Sequence, residues 1–479
     1  MRLLRALLPN LLDGFRYFLA WYDMTSSPSQ KKVLGFRDVA LITFISNFGV
    51  RWLAVAAGIG ASAISYWLLG AVLFFLPLVF VAAKLSRLYP EEGGIYKWTE
   101  HALGKRSAFI VAWLYWVNNI FYYPAVLIFL ATNFAYFLGK PQLANNHVYI
   151  TACVLIAFWL IVIVSLFGLK ASKYLVEYGG LLGTIIPTIA LILLGVFLLL
   201  ATGKSATSFS AGAALPSGHI FNKLSTLTII MFAMAGVEVI PTFANAVRNP
   251  KRDLYNGLII GSLLIFLFYA LGTFAINVIL TPAEVQNTSG LMQTFLVMGQ
   301  KLHAPWFSRA MSFLLVFAEL AAVTIWLIAP VTMFFKCTPK GILPNWLHKT
   351  NRHDSPANAI LLMGLIISAI TLITNALPSI NNMYQVLVLM ATILYFIPYL
   401  FLAAVYFKSL NKLPGSPLLN KLYVLGIAVS ITLGILFSFE PPTNLKGYNL
   451  ISYELELILG PLIFIYLGYF IYMRRSKSS

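Results

Sequence analysis

The sequence predicts an all-α integral membrane protein of about twelve transmembrane helices. Three observations predict it: 60% of the 479 residues are hydrophobic, only 10% are charged, and apolar runs recur along the whole chain. A hydrocarbon core of roughly 30 Å takes about 20 helical residues to cross, and the runs reach that length. A water-soluble fold is excluded.

Taken in order, the spans begin near Val39, Ile64, Phe109, Tyr149, Tyr178, Leu227, Leu258, Ala310, Ile360, Val386, Val424 and Leu457. The longest connections, near Gly203 to Lys223, Thr281 to Trp306 and Lys336 to Pro356, are too short to hold a soluble domain. Short cytoplasmic loops collect lysine and arginine, which gives the orientation. With the amino terminus inside, 26 of the 33 basic residues fall on inner segments and 6 on outer ones, and Arg51 lies within a span. Both termini are therefore expected in the cytoplasm, with the chain in the cell inner (cytoplasmic) membrane.

The net charge of +18 is spread over short loops that border the bilayer. Anionic lipid headgroups account for it, and no nucleic acid partner is expected. Cys153 within a span and Cys337 on the inner side cannot meet across an oxidising compartment, so neither a disulfide nor a thiolate metal site is expected. No metal or cofactor is predicted. Leu4, Leu8, Leu11, Phe15, Phe18 and Tyr22 fall at helical spacing before the first span, which reads as an amphipathic helix on the inner leaflet or else as a flexible tail.

Spans 1 and 6 differ from the rest because glycine and an ionisable group interrupt the apolar run. Span 1 reads Asn47-Phe48-Gly49-Val50-Arg51-Trp52, and span 6 reads Ala235-Gly236-Val237-Glu238-Val239-Ile240-Pro241. They stand five helices apart, the offset expected of an inverted repeat of spans 1 to 5 and 6 to 10, each half opening on a discontinuous helix. The alternative is that the glycines only allow close helix packing.

Arg51, Glu238 and Glu319 lie away from the ends of their helices, where a charge costs roughly 2.5 to 3.5 kcal/mol on insertion scales. Such residues line a solute path or pair with one another. Arg51 has either glutamate available as a structural partner. Asn118, Asn119, Tyr122 and Tyr123 in span 3, Trp326 in span 8, and Tyr395 and Tyr399 in span 10 are candidates for recognition and occlusion, or else packing residues.

Gly236-Val237-Glu238 followed by Asn249-Pro250-Lys251-Arg252-Asp253 resembles the signature of the amino acid, polyamine and organocation superfamily. Within it the chain is most similar to the bacterial glutamate/GABA antiporter group. Glu91-Glu92-Gly93-Gly94-Ile95-Tyr96-Lys97-Trp98, Met292-Gln293-Thr294-Phe295, Asn381-Asn382-Met383 and Ser438-Phe439-Glu440-Pro441-Pro442 carry this likeness in the expected order. It implies a LeuT-like fold of two inverted five-helix repeats plus two extra helices, and amino acid exchange by alternating access. The expected organisation is a cytoplasmic segment 1–35, one transporter domain 36–473 and a basic cytoplasmic tail 474–479.

By the resemblance, the substrate meets the unwound backbone of spans 1 and 6, which places Asn47, Gly49, Arg51, Trp52, Ala235, Gly236 and Glu238 at the site with Glu319, Ala322 and Trp326 of span 8. Trp326 falls on the family's gating tryptophan, and Tyr395 and Tyr399 on tyrosines near the pathway. Three departures stand out. The substrate-contacting glutamate of span 8 falls at Ala322, with Glu319 one turn earlier; Arg51-Trp52 replaces the usual small-residue triplet; and, with Ser479 six residues after the last expected span, the family's long carboxy-terminal plug is not expected.

The expected function is secondary active transport of amino acids or related amines, by exchange. A proton-coupled symporter is the alternative, followed by a membrane-embedded enzyme, a channel or a transport-dead sensor. An enzyme needs a nucleophile, base or metal set, and His348, His353 and Asp354 in a basic loop do not make one.

Overall fold

The computed structural model describes residues 34–89, 94–167, 175–215, 224–338, 341–353, 355–441 and 449–476. The expected amphipathic helix before residue 34, the Glu91-Glu92-Gly93 motif, Asp354, Pro442 and the end of the tail at 477–479 lie outside these residues.

Eleven described helices are long and apolar enough to cross a membrane, and there are twelve when the pair Phe36–Asn47 and Arg51–Ala57, bent by 62°, counts as one span. This broken helix is span 1. Spans 2 to 5 are Gly60–Leu88, Lys105–Phe137, His147–Leu166 and Leu182–Thr202. Span 6 is Leu224–Met234 continued by a 3₁₀ segment, Val237–Ala246. Spans 7 and 8 are Pro250–Ile279 and Trp306–Cys337. Spans 9 to 12 are Ala357–Thr374, Ile380–Lys408, Pro417–Phe437 and Leu450–Ser476. All twelve fall where the apolar runs place them. Among the described residues the connections hold two further helices of ten residues or more, Gly94–Leu103 and Gly290–Lys301, too short and polar to cross the bilayer.

Burial sorts the spans into centre and rim. In spans 3 and 10, 83% of the apolar stretch is buried, against 17% in span 12. Spans 3 and 10 therefore form the centre, and span 12 meets lipid.

In lipid the hydrophobic effect does not hold helices together, so small residues let backbones approach and dispersion does the work. On span 7, a Cβ on Gly257 would come within 2.5 Å of Val39, and one on Gly261 within 2.6 Å of the Ala40 carbonyl and of Thr43. On span 5, a Cβ on Gly183 would lie 2.3 Å from the Leu314 carbonyl of span 8. These close approaches seat span 7 on span 1 and span 5 on span 8.

Candidate functional site

The break in span 1 begins where Asn47 ends the helix and Phe48 turns extended, at φ −80° and ψ 113°. Asn47 is held from its own helix, its Nδ2 donating to the Thr43 carbonyl at 2.8 Å. In span 6, Gly236 adopts φ 113°, which L side chains rarely reach, and the chain continues as a 3₁₀ segment containing Pro241, which has no N–H to give a regular helix. The two breaks touch. Asn47 Oδ1 lies only 2.2 Å from where a Cβ on Gly236 would stand, so only glycine fits there on both counts.

One hydroxyl joins the breaks. Tyr269 of span 7 accepts from the Gly49 N–H at 3.0 Å and lies 2.9 Å from the Ala233 carbonyl and 3.3 Å from that of Asn47. It is fully buried, and its ring stacks on Trp67 at 4.5 Å. Sequence reasoning missed it, because a tyrosine in an apolar run looks like packing; the signal was a set of orphan backbone groups in need of a donor.

The two glutamates have different surroundings. Glu238 is fully buried, and its carboxylate accepts from Tyr115 at 2.5 Å and Tyr395 at 3.0 Å on one oxygen, and from Tyr399 at 2.7 Å and the Gly236 N–H at 3.2 Å on the other. Tyr395 and Tyr399 recur one turn apart on span 10, as the sequence shows, whereas Tyr115 was not singled out. Four donors satisfy this carboxylate without a cation.

Arg51 pairs with Glu319, Nη1 to Oε2 at 3.3 Å, and not with Glu238. Its Nη2 donates to the Tyr122 hydroxyl, and the guanidinium carbon lies 4.6 Å from the Trp52 ring centroid. Arg51 is 5% exposed and Glu319 3%. The pair fastens span 1 to spans 3 and 8.

Ala322 and Trp326 follow Glu319 at helical spacing, on one face of span 8, and both keep partial exposure, as do Gly49 and Ala235 at the breaks. The Trp326 carbonyl accepts from the Tyr123 hydroxyl. Asn119 Nδ2 donates to the Tyr115 carbonyl at 2.8 Å within its own helix, whereas the Asn118 Oδ1 has no partner among the described residues. The structure thus brings Asn47, Gly49, Arg51, Trp52, Ala235, Gly236, Glu238, Glu319, Ala322 and Trp326 to one membrane-embedded region, with the Tyr395 and Tyr399 hydroxyls bonded to Glu238 inside it.

Two broken helices five spans apart, facing each other in the middle of a twelve-span bundle, define a membrane transporter with the LeuT fold. The comparisons agree. Residues 34–464 match the family described as "Amino acid permease", and the chain belongs to that family. It is 29% identical to an uncharacterized transporter of Legionella pneumophila over 91% of this chain and 96% of that one. It is 24% identical to the glutamate/gamma-aminobutyrate antiporter of Lactococcus lactis subsp. lactis, over 86% and 84% of the two chains. Among solved structures, MhsT in complex with L-phenylalanine superposes with a TM-score of 0.60 at 16% identity, covering 86% of this chain and 99% of that one. The protein is a transporter and not an enzyme.

Proposed function

We propose that the protein exchanges amino acids, or amines derived from them, across the cytoplasmic membrane by alternating access, with both termini in the cytoplasm. The observation that carries this reading is the meeting of the breaks at Asn47 and Gly236, which puts unwound backbone from both repeats at one point. Unwound carbonyls suit an ammonium group and exposed N–H groups suit a carboxylate, so such a site fits the common part of an amino acid. Asn47, Gly49, Ala235 and Gly236 are the proposed backbone cradle. Arg51, Glu319 and Ala322 then meet the side chain and Trp326 closes over it, while Tyr395 and Tyr399, bonded to Glu238, hold span 10 against the site.

Residues just past the first break, Val50 to Leu53, are buried, while Ser46, Gly49, Ala235, Val239, Ala322 and Trp326 keep partial exposure. That asymmetry supports a path leading from the site toward the side of Phe36. Glu238 acts here as a brace between spans 3, 6 and 10, since its four donors leave little capacity for a ligand. The organisation proposed is one transporter domain over 36–473 flanked by short cytoplasmic segments. Purified protein in liposomes preloaded with unlabelled amino acids should accumulate the labelled amino acid by counterflow. Uptake that ignores the internal solute and follows an imposed proton gradient would instead establish proton symport.

A further inference from the structure

We propose that the Arg51–Glu319 pair is a charge filter for the solute's side chain, and that it selects amino acids whose side chain is uncharged but accepts a hydrogen bond, the carboxamides foremost. The inference rests on the transport reading above and names the substrate class of that same site.

The pair sits where a side chain would reach. Arg51 Nη1 lies 3.3 Å from the position of a Cβ on Gly49, so the guanidinium folds back over the unwound backbone of span 1. Glu319 is one turn from the partly exposed Ala322 on the same face of span 8. Trp52 and Tyr122 flank the guanidinium, their ring centroids 4.6 and 5.1 Å from its central carbon.

Charge counting decides the class. Arg51 and Glu319 cancel each other, and the accepting capacity of Glu238 is taken by three hydroxyls and an N–H, so no charged group of this subsite is left without hydrogen-bond partners for a charged side chain to claim. A carboxylate side chain would have to share one guanidinium with Glu319, and a cationic side chain would have to share Glu319 with Arg51. Either arrangement leaves a buried charge without a full partner, and that penalty outweighs the attraction to the shared group. A neutral acceptor leaves the pair intact.

Donors for such an acceptor are present. Arg51 Nε and the Tyr384 hydroxyl are buried and have no hydrogen-bond partner among the described residues. A side-chain carbonyl takes the Arg51 donor, and the amide nitrogen of the same group can donate to the Glu319 carboxylate. An aliphatic side chain would leave that donor unmatched, which ranks leucine below glutamine.

The test is counterflow of labelled L-glutamine in proteoliposomes, with competition by asparagine, glutamate, lysine and leucine, for wild type, Glu319→Gln and Arg51→Met. In wild type, glutamine and asparagine should compete at concentrations at least about tenfold below glutamate, lysine and leucine, the factor expected of one unmatched buried group. Glu319→Gln frees the cation, so glutamate should rise in rank about tenfold or more. Arg51→Met frees the acid, so lysine should rise instead. The double variant, neutral again, keeps the comparison open if a single variant fails to fold, and should disfavour both charged solutes. Wild type that prefers glutamate or lysine, or variants with the wild-type rank order, would overturn the filter while leaving exchange standing. Failure of every amino acid to drive counterflow would sink the exchange reading and the filter together.

Discussion

At the scale of the residue, Tyr269 shows how one side chain supports a site it does not advertise. Its hydroxyl serves the Gly49 N–H and the Ala233 carbonyl, which belong to the two broken helices. Tyr269→Phe keeps the ring stacked on Trp67 but leaves those backbone groups without a partner, at a cost of about 1–3 kcal/mol. We expect a protein that still folds, with a lower thermal midpoint in detergent and weaker solute affinity in the transport assay; an unchanged midpoint would mean that other groups replace the hydroxyl. Trp326 should behave in the opposite way. Its link to Tyr123 runs through the backbone carbonyl, which survives substitution. Trp326→Ala is therefore expected to cut flux at least about tenfold, or roughly 1.4 kcal/mol, with little change in the midpoint; unfolding of the variant would return Trp326 to a packing role.

At the scale of the element, the breaks depend on backbone conformations and close approaches that few residues allow. Gly236→Ala puts a methyl group 2.2 Å from Asn47 Oδ1 and places an L residue at φ 113°, so it adds a clash to a conformational cost of about 1–3 kcal/mol. The expected outcome is loss of transport that Asn47→Ala only partly restores, measured by the same counterflow assay, because removing the clash leaves the backbone cost in place. Gly261 is a packing case, since its φ is ordinary and its neighbours are the Ala40 carbonyl and Thr43 of span 1. Gly261→Leu should force spans 1 and 7 apart and lower both the yield of folded protein and the thermal midpoint. A normal midpoint would show that the two helices can slide without loss.

At the scale of the whole molecule, the charge distribution sets a test of orientation. Cysteine variants in the Lys349 to His353 stretch should be labelled by an impermeant maleimide only after the cells are opened, and variants at Lys204 to Ser208 in intact cells. The reverse pattern would invert the bundle and the direction assigned to the exposed path.

How far the sequence reached follows from the range of each cause. Apolar length, basic loops and the glycine-plus-charge interruptions are local patterns, so the sequence by itself determined the twelve spans, the two broken helices and the three buried ionisable residues. Their partners are another matter. Arg51 and Glu319 are 268 residues apart, and Tyr395 and Glu238 are 157 apart. Both glutamates were open to Arg51 on sequence grounds, because each is a lone acid in an apolar helix. Only the packing of spans 1, 3, 8 and 10 settled the choice, by filling the surroundings of Glu238 with tyrosine hydroxyls and leaving Glu319 opposite the guanidinium. The Tyr269 bridge and the Tyr115 bond were hidden for the same reason: a hydrogen bond in a membrane core is chosen by which polar groups meet once water is excluded, and one-dimensional spacing does not record that meeting.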